Sequence, residues 1–393
     1  MPFQPSAFQR VLEPLNRRVV DRIVADHDGN RGVGNGANAW TCQRHLKALL
    51  FGQLAGLKSL REIVQALPAR PAALYHLGLR PARRSTLSDA SAARPVEVFG
   101  DIARHLMADV TGKLRRQGEA VVELLDASPI PLRDARFTWP EADSRVRGLK
   151  LYVHYDPAID APTCFDLTSP RTSDTTLARS VTIAAEATYV FDKGFTDYTF
   201  WHRISEAGAV FVTRLKKNAR RRDVQAAATP LEAPILAETI LKVGHQKPRG
   251  GATNPLYDTP LREIVVERQG KEPLHLVTND LTRPATEIAE LYKTRWQIEL
   301  FFKWIKQNLR VKRFWGRSEN AVRIQLYVAV IAFLLLRLLK QRHAKSHKGS
   351  AKDMLARLSV ALFSPLDLSG RAKPPPIPPT LRPPRNQMEL VFQ

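Results

Sequence analysis

The chain has 393 residues, with 60 Lys and Arg against 38 Asp and Glu, a formal charge of +22. Hydrophobic residues make up 44%, which excludes a disordered polycation, and the length allows roughly two to three domains with cores that need neither disulfides nor metals. The two cysteines, Cys42 and Cys164, are too few and too far apart for a disulfide framework or a structural zinc site, and point to a reducing compartment.

Residues 1–112 read as a helical region. The opening MPFQPSAFQR lacks the apolar stretch of a signal peptide. Val11, Leu12, Leu15, Val19 and Ile23 recur at helical spacing, and a second helical stretch runs from Thr41 through HLKALLFGQLAGLKSLREIVQAL. The Gly- and Asn-rich DHDGNRGVGNGANA between them reads as a loop. After Pro68, Pro71 and Pro81, RRSTLSDASAARPVEVFGDIARHLM begins a further helix that Ser85, Thr86 or Ser88 can cap.

A core region spans 113–345. EAVVELLDASPIPL carries a dense apolar run ending at Asp126, the pattern of a buried strand. LKLYVHYD (149–156) and TCFDLTS (163–169) form a hairpin or meander. A helix at 175–185 leads to the strand TYVFD, ending at Asp192, and a helix at 197–207 leads to a strand in EAGAVFVTRLK. This alternation predicts an α/β fold with a mixed sheet. Residues 219–272 read as a β-rich insertion, after which EPLHLVTN resumes the buried-strand pattern. Helices follow from Thr286 and over 319–343. Leu326 to Leu336 is the longest apolar run, shorter than the about 20 residues of a membrane span, so no span is expected. The extension 346–393 ends in KPPPIPPTLRPP, an extended or disordered tail.

The charge asks for a polyanionic partner, and nucleic acid in the cytoplasm leads. An anionic membrane surface would need a basic amphipathic face, and 326–336 is too uniformly apolar to supply one. Basic residues cluster twice. RLKKNARRR contributes Arg214, Lys216 and Lys217. LYKTRWQIELFFKWIKQNLRVKRFWGR places Lys303, Arg310, Lys312 and Arg313 among Trp296, Trp304, Phe314 and Trp315, some of which can stack on bases. Solvated loops would show such clusters too. On one helix, Tyr292, Arg295, Glu299 and Lys306 share a face. That row suits a metal ion beside phosphates, the carboxylate for the metal and the cations for the backbone. A solvated, salt-bridged helix face is the alternative, since an i,i+4 pair such as Arg295 and Glu299 contributes about 0.2–0.5 kcal/mol.

The pattern Y-x2-R-x3-E-x6-K, met by Tyr292, Arg295, Glu299 and Lys306, resembles the third catalytic motif of DDE transposases of the insertion-sequence-four family, the YREK signature. The two upstream aspartates of that family are matched by Asp126 in LLDASPIPL and Asp192 in YVFDKGF, where Gly194 and Phe195 keep the D-x-G-F form. FGQLAGLKSLREI and RRSTLSDASAARP resemble the helical N-terminal region of these transposases, so the resemblance covers residues 5–343.

The resemblance implies an RNase H-like mixed-sheet catalytic core, a helical N-terminal DNA-binding region and a β-rich insertion. It implies catalysis by Asp126, Asp192 and Glu299, holding two Mg²⁺ ions with Mn²⁺ as a substitute. Tyr292 and Arg295 would contact a phosphate near the transposon end, and Lys306 the backbone near the cut. The implied partners are double-stranded DNA (terminal inverted repeats and target) and a second copy in a homodimer, at the nucleoid of a bacterial cytoplasm. The implied outcome is cut-and-paste transposition. A metal-dependent nuclease that does not join ends is one rival. A non-catalytic DNA-binding repressor is another, which the intact acidic triad disfavours. Better-studied relatives stack a Trp of their inserted domain on a flipped base, whereas 219–272 contains Tyr257 as its one aromatic. Among competing acids, Asp156 and Asp160 read as turn residues, Asp174 as a helix cap and Asp134 as part of a connecting strand; His154 reads as structural.

Overall fold

The computed structural model describes residues 4–365 except 35, 37, 70, 141–145, 228–230, 248–250, 309–312 and 344–350. Arg310, Lys312 and the Pro-rich tail lie outside the described residues. The described N-terminal region folds as α1 (Ala7–Leu12), α2 (Arg17–Asp26), α3 (Cys42–Leu54), α4 (Leu60–Ala66), α5 (Pro71–Leu77), α6 (Arg84–Ala93) and α7 (Val96–Leu114). Both expected N-terminal helices are split. The first breaks at Pro14, whose ring nitrogen has no proton for the helical ladder, and Asn16 caps α2. The second breaks at Gly56, which takes φ +67°, and Ser59 caps α4. α6 begins at Arg84, ahead of its candidate caps, so Ser85, Thr86 and Ser88 lie inside it.

The strands are β1 (Val122–Pro131), β2 (Gly148–Asp156), β3 (Ala161–Thr168), β4 (Thr188–Phe191), β5 (Val210–Arg214), β6 (Arg221–Ala226), β7 (Ile235–Val243), β8 (Leu261–Val266) and β9 (Leu274–Thr278). Among the described residues they form one sheet of order β3-β2-β1-β4-β5-β9-β8-β7-β6. β1, β4 and β5 run parallel and the other pairings are antiparallel. The first five strands make the RNase H-like core expected from the sequence. The β-rich stretch extends the same sheet, because β9 pairs with both β5 and β8.

α8 (Asp174–Ser180) and α9 (Tyr198–Glu206) follow β3 and β4, α10 (Ala285–Thr294) and α11 (Trp296–Asn308) follow β9, and α12 (Glu319–Arg342) and α13 (Ala351–Ala361) are the last helices among the described residues. The period of two sorts the sheet's side chains. Leu125, Tyr189, Phe191 and Phe211 pack with Phe200 and Trp201 of α9. Leu124, Val190 and Val212 belong to the opposite cluster, with Ile288, Ile298 and Phe301 of α10 and α11. α12 is long and apolar enough to cross a membrane, yet 83% of its most apolar window is buried inside the protein, against α3, α6, α7 and β3. Enclosure on nearly all sides explains its uniform apolarity. The N-terminus is tied to the end of α13, with the Ala7 amide donating to the Ser364 carbonyl at 2.8 Å.

Candidate active site

Strand register builds the site. The parallel pairing sets Leu125 of β1 beside Phe191 of β4, and Phe191 beside Thr213 of β5. The next residues on the three strands are Asp126, Asp192 and Arg214, so these stand in a row. Asp126 shares the face of Leu124, and Asp192, in extended backbone (φ −81°, ψ 165°), shares that of Val190. Both acids therefore point to the face covered by α10 and α11. Asp126 is not at the end of its strand, as the apolar run suggested. β1 continues to Pro131 because β2 pairs with it along that length. It is β4 that ends, and this opens the β1 edge beside Asp126.

Arg295 closes α10 with helical dihedrals (φ −51°, ψ −29°), so α10 and α11 are nearly one rod, and α11 packs on β1. This brings the motif residues to the acids. Arg295 donates to Glu299 Oε1, and its Nη1 lies 3.8 Å from Asp126 Oδ2. Lys306 Nζ donates to Ser128 Oγ at 2.6 Å. Tyr292 is buried beside Arg295, whose guanidinium carbon is 5.8 Å from the ring centre. Arg214 Nε donates to Asp192 Oδ1 at 2.8 Å, and its Nη2 donates to the same oxygen.

Burial pushes the Asp126 carboxyl up to about 6, and the charges of Asp192 and Glu299 push the same way, against the Ala127 amide and Arg295. The three carboxylates are thus close enough to feel one another. Burial also raises the Tyr292 phenol, to about 12. The donor set is oxygen-only, which suits a hard divalent cation. Among the described residues no three His, Cys, Asp or Glu side chains are gathered closely enough to hold a metal ion. Asp192 is turned to Arg214 and Glu299 to Arg295.

The competing acids have other work. Asp156 pairs with Arg115 and accepts the Ala158 amide in a turn, and Asp160 takes φ +51° in that turn. Asp134 pairs with exposed Arg136 in a loop, where no strand forms. Ser173, not Asp174, caps α8; Asp174 pairs with Lys150 at 3.2 Å and packs on Gly194. His154 bonds to Tyr152 Oη at 2.8 Å, and burial holds it down at about 4.

Two basic clefts flank the acids. One, of about 890 Å³, is lined by Asp192, Lys193, Arg214, Lys216, Lys217 and Arg268. The other, of about 900 Å³, is lined by Arg84, Arg133, Arg136, Lys306, Arg313 and Arg317. Lys303 is exposed on α11, as is Trp296, while Trp304, Phe314 and Trp315 pack against the core. Ser128 escaped the sequence reading, although its even spacing from Asp126 on a strand was the available signal. Arg84, Arg133 and Arg136 escaped it because they come from separate segments, whereas Arg317 ends the second basic cluster.

The family model of the transposase DDE domain matches residues 117–335, more than half of the chain, and a model for a domain of unknown function matches residues 4–80. "Putative transposase y4zB" of Sinorhizobium fredii is 38% identical over 323 residues, covering 80% of this chain and 87% of its own. "Probable transposase for insertion sequence element IS5377" of Geobacillus stearothermophilus is 25% identical over 391 residues, covering 93% of this chain and 97% of its own. Among solved structures, piggyBac transposase in a synaptic complex with hairpin DNA is similar at a TM-score of 0.48 and 12% identity, over 99% of this chain and 86% of that one. By the matched domain and these relatives, the chain belongs to the DDE transposases, enzymes that act on DNA through divalent metal ions.

Proposed function

We propose that the chain cuts DNA at the ends of its insertion sequence and joins them to a target, with Asp126, Asp192 and Glu299 as the catalytic acids. The observation that carries this is the register of β1 and β4, which sets Asp126 beside Asp192 on the face where α11 presents Glu299. The three carboxylates would hold two Mg²⁺ ions, or Mn²⁺ in their place, and such a pair supports both hydrolysis and strand transfer by stabilising the attacking and leaving oxygens.

The chain's own side chains do the positioning. Arg214 fixes one oxygen of Asp192 and leaves the other free. Arg295 anchors Glu299 and presents positive charge to a phosphate near the transposon end, with Tyr292 buried beside it. Lys306, held by Ser128 two residues past Asp126, takes the backbone beside the cut. Lys303 and Arg313 on one side, and Lys216 and Lys217 on the other, continue the track, to which the sequence adds Arg310 and Lys312. Residues 1–112 would recognise the terminal inverted repeats, 113–345 would carry catalysis, and 346–393 would form an extension. Two copies would pair two ends at the nucleoid of a bacterial cytoplasm.

The test is cleavage of a plasmid carrying the element's ends by purified protein with Mg²⁺. Asp126→Ala, Asp192→Ala and Glu299→Ala are each expected to abolish cleavage while duplex binding survives. Full activity in any one removes that residue from the triad. Cleavage with no joined product from a pre-cut end would reduce the activity to that of a nuclease.

A further inference from the structure

A second cationic cleft lies among the N-terminal helices. It holds about 500 Å³ between α2, the start of α3 and the end of α5. Arg17, Arg44 and Lys47 line it, with Asp21 the one acid among the described lining residues. Arg17 pairs with Asp21 at 3.5 Å, while the other cations are held in place by neutral acceptors. Lys47 Nζ donates to the Leu77 carbonyl at 2.8 Å, and Arg44 Nε to the Gly78 carbonyl at 3.1 Å. Arg80, next to this turn, donates to Asn38 Oδ1 at 2.6 Å. Neutral acceptors orient a cation without cancelling its charge. The crowding is felt: burial and then the charge of Arg17 hold the Lys47 ammonium below its usual range, and burial and then Arg80 do the same to Arg44. Tyr75 stands at the rim, 82% exposed, its ring 5.5 Å from that of His76.

Cations that repel one another weaken a fold unless an anion joins them. The cations come from α2, α3 and the turn after α5, so they are spread along the cleft rather than focused on one point. An exposed aromatic at the edge of a cationic floor suits a sugar or base beside a phosphate chain. We propose that this cleft grips the phosphate backbone of double-stranded DNA, with Arg17, Arg44, Lys47 and Arg80 on phosphates and Tyr75 packed on an adjoining sugar. This gives the region matched as a domain of unknown function a task, and it rests on the reading that residues 1–112 bind the element's ends.

The test uses the full chain without metal, so that binding is read apart from cleavage. Two labelled duplexes serve as probes: one copied from the DNA flanking the gene, and a shuffled one of equal length. Arg17→Gln combined with Arg80→Gln, and separately Tyr75→Ala, sit at the surface and are checked for unchanged circular dichroism. The double variant is expected to weaken both duplexes by about tenfold or more and to flatten the log–log salt slope by about 1.8, roughly 0.9 per phosphate lost. Tyr75→Ala is expected to cost about fivefold or more. Wild-type affinity and slope in both variants would overturn the cleft, even if cleavage proceeds normally. A loss confined to the flanking-DNA duplex with an unchanged slope would also overturn it, since backbone contacts do not read sequence. Conversely, the expected losses in a protein that never cuts would leave the cleft standing and remove the catalytic reading.

Discussion

Gly194 gives the sharpest test of how tightly the site is held. It lies two residues past Asp192 in the short turn Lys193–Phe195, and a Cβ built on it would come 2.7 Å from Asp174 Oδ2. Ordinary contact lies more than half an ångström further out, so Gly194→Ala must open a gap of roughly that size. Two things can yield. If Asp174 swings away, it loses Lys150, a partly exposed partner, at a cost of at most about 1 kcal/mol. If the turn yields instead, Asp192 moves with it. A misplacement of about 1 Å costs on the order of a hundredfold in rate, so half of that costs about tenfold. We expect Gly194→Ala to melt within a few degrees of wild type and to cleave about tenfold more slowly in single-turnover assays. Adding Asp174→Ser removes the obstructing carboxylate and should restore most of the rate. A slow single variant that the second substitution fails to rescue would refute the steric account.

Two other outcomes follow from named contacts. His45 is buried in α3, bonded to Ser91 Oγ at 3.0 Å, and burial, with the charge of Arg94 behind it, holds it down at about 3. An unfolded His titrates near 6.5, so the unfolded chain takes the proton first; this contribution is complete above about 6.5 and is lost as pH falls towards 3, by about 1.4 kcal/mol per unit. Denaturant midpoints between about pH 6.5 and 4.5 should fall less steeply in His45→Gln, and parallel slopes would refute it. Ser128→Ala should slow cleavage by up to about tenfold through a loosened Lys306, with Ser128→Thr retaining more of the rate. Wild-type cleavage by Ser128→Ala would show that the bond positions nothing.

The elements were legible where one physical pattern governed them. β4 and β5 are short, dense apolar runs, each following a helix, because both their faces are covered, and α12 is apolar all round because it is enclosed. Errors fell where a single residue interrupts a pattern. Pro14 and Gly56 cut helices whose apolar spacing continues through the break. The candidate caps of α6 misled because short polar side chains are tolerated inside a helix when they face outward. The join between insertion and core was not legible, since β9 must find β5 across a stretch of more than fifty residues, and hydropathy carries no record of that pairing.

The site was legible by spacing along one helix and opaque across strands. Glu299 and Lys306 stand out because seven residues return a helix to the same face. Asp126, Asp192 and Arg214 meet for another reason. Leu125, Phe191 and Thr213 are fully buried and aligned side by side on parallel strands. Charge is costly in that layer, so the first charged residues after it appear at one level on all three strands. The row of two acids and an arginine therefore records where the buried width of the sheet ends. Arg214 looked like part of a DNA-facing basic run because five more cations follow it closely in sequence; its side chain turns to Asp192 because β5 lies next to β4. In a parallel sheet, the residue one step past the buried layer is where a carboxylate can be both positioned by the core and reached by phosphate.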